Sequence, residues 1–157
     1  MAEAGLRIAD GDPGDPQALQ LIAASDAYMG ALYPAESNHF DGVDTLRRPN
    51  VRFLAAWLDG RMVGCGAVKR LPGPPAYGEI KRVYVDPACR GRGIARALMA
   101  RLEDSLRAAG IALARLETGI HQPEAIGLYR RLGYAERPPF GDYRSDPLSL
   151  FMERTLG

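Results

Sequence analysis

The chain has 157 residues, with 20 Lys and Arg against 19 Asp and Glu, a net charge of +1, 46% hydrophobic residues and 25% charged ones. This is ordinary globular composition at a length that suits one hydrophobic core, so residues 1–157 are expected to form a single domain. Balanced charge excludes a partner held by bulk electrostatics, nucleic acid above all, and no run reaches the roughly 18 apolar residues that span a membrane. Met1 to Asp10 lacks the basic and apolar regions of an export signal, which makes the cytoplasm the expected compartment. Cys65 and Cys89 have no CxxC spacing, so both are read as reduced thiols, with no disulfide and no metal.

Leu6 to Ile8 predicts a short strand, and Gly11 to Pro16 a loop leading into a helix that stops before Pro34. Leu19, Ile22, Ala23 and Leu32 are assigned to that helix's apolar side. A polar loop follows, with a helical turn near Val43 to Arg48. Val51 to Leu58 and Met62 to Lys69 are two strands joined at Asp59-Gly60, a tight-hairpin signal because such turns need positive φ. The proline-rich run after Leu71 breaks regular structure. Ile80 to Val85 is a further strand, alternating only in part, and ends at Asp86-Pro87. Ile94, Leu98, Leu102, Leu106 and Ala109 recur at helical spacing, with Glu103 and Arg107 as an i,i+4 pair and Gly110 as the stop. Ile111 to Glu117 reads as a strand. Pro123 opens a last helix with Ala125, Ile126, Tyr129 and Leu132 on one face and Gly133 as its stop. Tyr134 to Glu136, a loop at Arg137 to Pro147 and a strand at Leu148 to Met152 complete a mixed α/β layer.

The chemistry concentrates where the strand ending at Val85 meets the helix starting at Ile94. A glycine-rich turn at a helix N-terminus aims unpaired N–H groups at one point, where a phosphate is well placed. Between Lys81 and Arg101 stand six cations (Lys81, Arg82, Arg90, Arg92, Arg96 and Arg101) and one acid, Asp86. The ordinary alternative is a solvated basic helix face. No Gly-Lys-Ser/Thr is present for a Walker A loop. A dinucleotide fingerprint begins with Gly91-x-Gly93 but meets Arg96 at its third glycine position. The pattern Arg/Gln-x-x-Gly-x-Gly/Ala is satisfied by Arg90, Gly93 and Ala95.

With the preceding Glu79-Ile80-Lys81-Arg82-Val83-Tyr84-Val85-Asp86-Pro87 and the later Ala125-Ile126-Gly127-Leu128-Tyr129-Arg130-Arg131-Leu132-Gly133-Tyr134, that pattern resembles the GNAT superfamily of acetyl-CoA-dependent N-acetyltransferases. The resemblance covers most of the chain. It implies an α/β (α+β) GNAT fold, a mixed, mostly antiparallel sheet of about seven strands flanked by about four helices. It also implies acetyl-CoA as acyl donor and a small-molecule or peptide amine as acceptor, in a ternary complex. A homodimer would be usual.

By the same resemblance, the turn from Arg90 through Gly91, Arg92, Gly93 and Ile94 to Ala95 would hold the pyrophosphate of coenzyme A. The strand Val83-Tyr84-Val85 would hold its pantetheine arm, with the Val83 N–H polarising the thioester carbonyl. Tyr129 matches the tyrosine that protonates the departing thiolate, whereas spacing alone makes it a core residue. Glu79 stands where some members carry the base for the acceptor amine; its plainer reading is a solvent-facing strand end. Gln122 replaces a frequent asparagine near the cofactor.

The acceptor side is assigned to Glu36, Ser37, His39 and Tyr143, each of which also reads as a solvated-loop residue. Their surroundings resemble a bacterial subset labelled indole-acetic acid acetyltransferase-like. His39 is a second candidate base, since imidazole titrates near neutrality, and His121 is read as a strand-end or cap residue. Three other classes stay in view: a non-catalytic acyl-CoA-binding module, a dinucleotide-binding domain, and a cysteine nucleophile at Cys65 or Cys89.

Overall fold

The computed structural model describes residues 5–38 and 40–157; His39 lies outside the described residues. The strands are β1 (Leu6–Asp10), β2 (Val51–Leu58), β3 (Arg61–Leu71), β4 (Tyr77–Val85), β5 (Leu113–Gly119), β6 (Ala135–Arg137) and β7 (Ser149–Thr155). They form one sheet in the order β1-β2-β3-β4-β5-β7-β6, antiparallel at every pairing except β4 with β5. The helices are α1 (Pro16–Leu32), α2 (Val43–Leu46), α3 (Ile94–Ala108) and α4 (Pro123–Arg131). Among the described residues, seven strands and four helices match the expected architecture.

Alternation along β2 sorts the helices to the two faces. Leu54 and Ala56 join a core with Leu98, Leu102 and Leu106 of α3 and Tyr129 of α4, while Phe53 and Ala55 join Ala18, Leu21 and Ile22 of α1. Each fully buried leucine of α3 contributes roughly 1.5–3 kcal/mol. The buried side of α1 is Ala18, Leu21, Ile22 and Ser25, not the expected stripe, since Leu19 and Ala23 face outward. Small and apolar residues surround this helix, and its periodicity gives no unique face.

Local signals explain the element ends. Asp15 caps α1 by accepting from the Gln17 N–H at 2.8 Å. Asp59 and Gly60 both have positive φ, at 51° and 84°, as the β2–β3 hairpin requires. Helix α3 ends in two crossing bonds, Gly110 N–H to Arg107 C=O and Ile111 N–H to Leu106 C=O, and Gly110 takes φ 75°. Ile111 is thus consumed by the helix stop, and β5 starts at Leu113 rather than Ile111. Helix α4 closes the same way, with Gly133 N–H to Arg130 and Tyr134 N–H to Tyr129. The expected Glu103–Arg107 pair does not form. Glu103 is 3% exposed and accepts from Tyr134 Oη and Arg154 Nη1, both at 2.7 Å, while Arg107 pairs with Asp104.

Strand β4 carries the irregularity that matters for function. Ala67 pairs with Lys81 and Cys65 with Tyr84, so Gly66 alone opposes Arg82 and Val83. The bulge reverses the alternation: Gly78 and Ile80 face α3 before it, Val83 and Val85 after it. Arg82 sits there with φ 58°, a left-handed conformation that costs a non-glycine residue about 1–3 kcal/mol.

Candidate active site

Parallel pairing of β4 with β5 covers only Gly78–Ala114, Glu79–Arg115 and Ile80–Leu116. Beyond Ile80 the strands diverge. Asp86 N–H bonds to the Val63 carbonyl at 2.8 Å, so in the antiparallel ladder Asp86 and Tyr84 address β3 while Val85, between them, turns its backbone groups toward the gap. A cavity of about 880 Å³ occupies this opening, walled by Val83, Tyr84 and Val85 on one side and Leu116, Thr118 and Gly119 on the other.

The glycine turn stands at one end. Gly91 and Gly93 have φ 80° and 77°, and Gly93 is the N-cap of α3 without a side-chain cap bond. The first intrahelical donor is Ala97, which bonds to Gly93, so the preceding N–H groups of α3 have no intrahelical acceptor. Gly91, Arg90 and Ala95 line the cavity, and Arg92, Gly93 and Ile94 complete the turn beside it. The cation cluster read from the sequence divides in two. Lys81 pairs with Asp41 and Glu79, Arg82 with Asp26, and Arg101 donates to the Ile8 carbonyl. Arg90, Arg92 and Arg96 remain exposed about the turn, with the Arg90 guanidinium 5.7 Å from the Tyr28 ring and 5.8 Å from Tyr84. Unpaired helix N–H groups, a left-handed glycine at the cap, three arginines and a free strand edge make a cradle that fits the phosphates and amide arm of coenzyme A.

Tyr129 lies on the cavity wall, 9% exposed, with its ring edge-on to Tyr134 at 6.0 Å. Its hydroxyl has no hydrogen-bond partner among the described residues. Burial pushes the phenol up to about 12, so it holds its proton at neutral pH.

At the other end stands Glu79, 5% exposed rather than solvent-facing. Its Oε2 accepts from Tyr143 Oη at 2.5 Å and from Lys81 Nζ at 3.4 Å, while Oε1 has no partner among the described residues. Lys81 also donates to Tyr143 Oη at 3.0 Å and meets Asp41 Oδ2 at 3.1 Å. Burial first, then the Glu79 charge, pushes the Tyr143 phenol far above its usual range and keeps it a donor to Glu79. Tyr143 is anchored through Phe140, whose ring meets those of Tyr77, Phe151 and Tyr143 at 5.6, 5.8 and 5.2 Å.

Ser37 also lines the cavity, and its Oγ donates to Asp146 at 2.7 Å. Glu36, next to it, is exposed and is not part of the cavity wall. His39 falls outside the described residues. Gln122 begins α4 without capping it; its Oε1 instead accepts from Tyr33 Oη at 3.2 Å and Gly119 N–H at 3.3 Å. Tyr33 escaped the sequence reading because its partners lie 88 and 89 positions away. Its ring stacks on His121 at 5.5 Å and its hydroxyl accepts from the His121 N–H, joining the end of α1 to the start of α4.

The sequence model of the Acetyltransferase (GNAT) family matches residues 19–134. The chain belongs to the GNAT acetyltransferase family. This GNAT protein is an acetyltransferase with acetyl-CoA as acyl donor, and the binding-module alternative is not favoured. It is 50% identical to an IAA acetyltransferase of Azospirillum brasilense over 96% of this chain and 98% of that one. It superposes with TM-score 0.83 and 41% identity on a Klebsiella pneumoniae structure assigned as an acyl-CoA N-acyltransferase, covering 99% and 100% of the two chains. The Thermoplasma acidophilum PaiA N-acetyltransferase, solved with coenzyme A, shares the fold at TM-score 0.73 and 16% identity, over 96% and 98% of the chains. No helix among the described residues of the GNAT protein is long and apolar enough to cross a membrane.

Proposed function

We propose that this GNAT protein acts in the cytoplasm as one domain, transferring the acetyl group of acetyl-CoA to a primary amine by direct attack in a ternary complex. The observation that carries this reading is the divergence of β4 from β5 after Ile80. It sets a phosphate-binding turn at one end of a single cavity, Tyr129 on its wall and Glu79 at the other end. The Thermoplasma acidophilum protein of the same fold was solved with coenzyme A, which supports a CoA site in this one.

Acetyl-CoA supplies the acyl group as a thioester. The N–H groups from Arg92 to Ala95, with Arg90, bind the pyrophosphate, and the backbone of Val83 and Val85 pairs with the pantetheine arm beside Gln122. The Val83 N–H polarises the thioester carbonyl, an effect that grows as charge develops on that oxygen. Glu79, through Oε1, takes one proton from the acceptor ammonium; the neutral nitrogen forms the new N–C bond as the C–S bond breaks; Tyr129 gives its proton to the thiolate. The second proton leaves the acylated nitrogen and restores Tyr129 through solvent, and Glu79 releases the first, so the sum is an amide, free CoA thiol and one proton passed to solvent. Ser37 and Tyr143 face the acceptor, with His39 as a second candidate base and Glu36 at the outer edge.

Purified protein is assayed for CoA thiol release from acetyl-CoA against a panel of small amines, amino acids and peptides, with IAA, named in the relative, as a further arm. Amine-dependent release is expected. Tight CoA binding without release to any amine overturns the reading, and release to IAA alone redirects it to a different acceptor chemistry.

A further inference from the structure

Arg82 holds an unfavourable backbone conformation without a turn to explain it. Asp59, the other non-glycine residue with positive φ among those described, sits in a hairpin where that geometry is required. Such outliers persist where the surroundings over-determine them. The Arg82 side chain is 7% exposed; Nη1 pairs with Asp26 of α1, and Nε and Nη2 donate to the Asp41 carbonyl at 3.0 and 2.9 Å. The Phe40 ring lies 5.1 Å from the same group.

Consecutive strand residues ordinarily project to opposite faces. Here the bulge lets both Lys81 and Arg82 reach Asp41, Lys81 gripping its carboxylate at 3.1 Å and Arg82 its carbonyl. Asn38 and Phe40, just before Asp41, line the cavity. The wall of the cavity on the acceptor side is therefore tied to the strand at the point where β4 leaves β5.

We propose that Arg82 is a positioning residue that fastens the acceptor wall around Phe40 and Asp41 to the β4 bulge and α1, and so sets acceptor affinity without contacting the acyl donor. The kinetic part rests on the N-acetyltransferase reading above; the conformational part does not. Arg82 touches no reacting atom in this account: each of its three side-chain nitrogens donates to Asp26 or Asp41.

The test compares wild type with Arg82→Gly, which removes the grip while suiting the left-handed backbone, and Arg82→Lys, which keeps charge but loses the two-point bond to the carbonyl. Amide hydrogen exchange at Leu46 and Arg47, whose N–H groups bond to the Gly42 and Val43 carbonyls just after Asp41, calorimetric CoA binding, and KM for the acceptor found in the panel are measured. In Arg82→Gly, exchange at these two amides is expected to rise about tenfold or more and acceptor KM about tenfold, with CoA affinity within about twofold of wild type. Arg82→Lys is expected between the two. Should Arg82→Gly not fold, Asp26→Asn, which loosens only the anchor on α1, is read the same way. Wild-type exchange at Leu46 and Arg47 in the variants, or a loss of CoA affinity as large as the rise in acceptor KM, overturns the proposal. If wild type transfers to no amine, the functional reading fails, and the exchange measurement still decides the role of Arg82.

Discussion

Tyr143 donates its phenolic hydrogen to Glu79 across 64 positions of sequence. The bond orients the carboxylate from one side and leaves Oε1 without a partner among the described residues, the oxygen that the proposed mechanism assigns to the acceptor. Tyr143→Phe removes a hydrogen bond to a charged group, a change of about 1.5–3 kcal/mol. Acceptor kcat/KM is expected to fall by about tenfold or more while CoA binding stays near wild type. A variant with unchanged acceptor kinetics would detach the late loop from the chemistry.

Tyr129→Phe keeps the ring that packs among the core residues and removes the hydroxyl that opens on the cavity. Turnover is expected to drop about a hundredfold, in the range of a lost general acid, with CoA affinity preserved. The readout is steady-state thiol release beside calorimetric titration of CoA. Equal turnover in the two proteins would remove Tyr129 from proton transfer.

Alkaline pH should unfold the protein through the same buried groups. Burial raises the acids Cys65 and Tyr129 to about 12, and Tyr134 and Tyr143 are raised as well. The unfolded chain ionises its thiols near 9 and its phenols near 10, so it binds fewer protons than the folded one above those values. The stabilisation from burying neutral acids is whole below pH 9 and declines from there toward pH 12. Melting curves from pH 8 to 11.5 should show that decline, and Tyr129→Phe should flatten its upper part. A wild-type melting temperature constant to pH 11 would contradict the linkage.

Arg90→Ala is expected to weaken CoA binding by about tenfold, the scale of one hydrogen bond to a charged phosphate, and to lessen its salt dependence. Acceptor KM should not move. Titrations at low and high salt separate this from a general loss of structure, which would depress both affinities.

A β-carbon on Gly119 would lie 1.9 Å from Tyr33 Oη, so Gly119→Ala must expel that ring from its place against His121 and Gln122. A cost of about 1–3 kcal/mol is expected, typical of overpacking a tight site. Urea denaturation measures it; an undiminished midpoint would show that Tyr33 repacks freely.

Helix stops, the hairpin turn and the succession of elements along the chain were legible because they depend on near neighbours. Asp59-Gly60, Gly110 and Gly133 each announce a conformation that few other residues adopt. The β4 bulge was not legible beyond a partial alternation over Ile80 to Val85, since no local residue demands a left-handed arginine at 82. Its cause lies in Asp26 and Asp41, 56 and 41 positions earlier. The same distance hid Tyr33 and turned two presumed phosphate cations, Lys81 and Arg82, into anchors of the opposite end. The family resemblance pointed to Tyr129 and Glu79 as candidates; only the assembled fold shows that both line one cavity and that Glu79 is buried and already half engaged.

Three register pairs between β4 and β5 are the only strand pairing, among the described residues, between a four-strand half, β1 to β4, and a three-strand half, β5, β7 and β6. A pantetheine arm bonded to the edge of β4 would act there as a splint, supplying rungs the protein itself omits. The donor substrate would then be part of the sheet while bound. At a hundred times its Kd it adds about 2.7 kcal/mol to stability, and each release of CoA returns the molecule to its more loosely joined form.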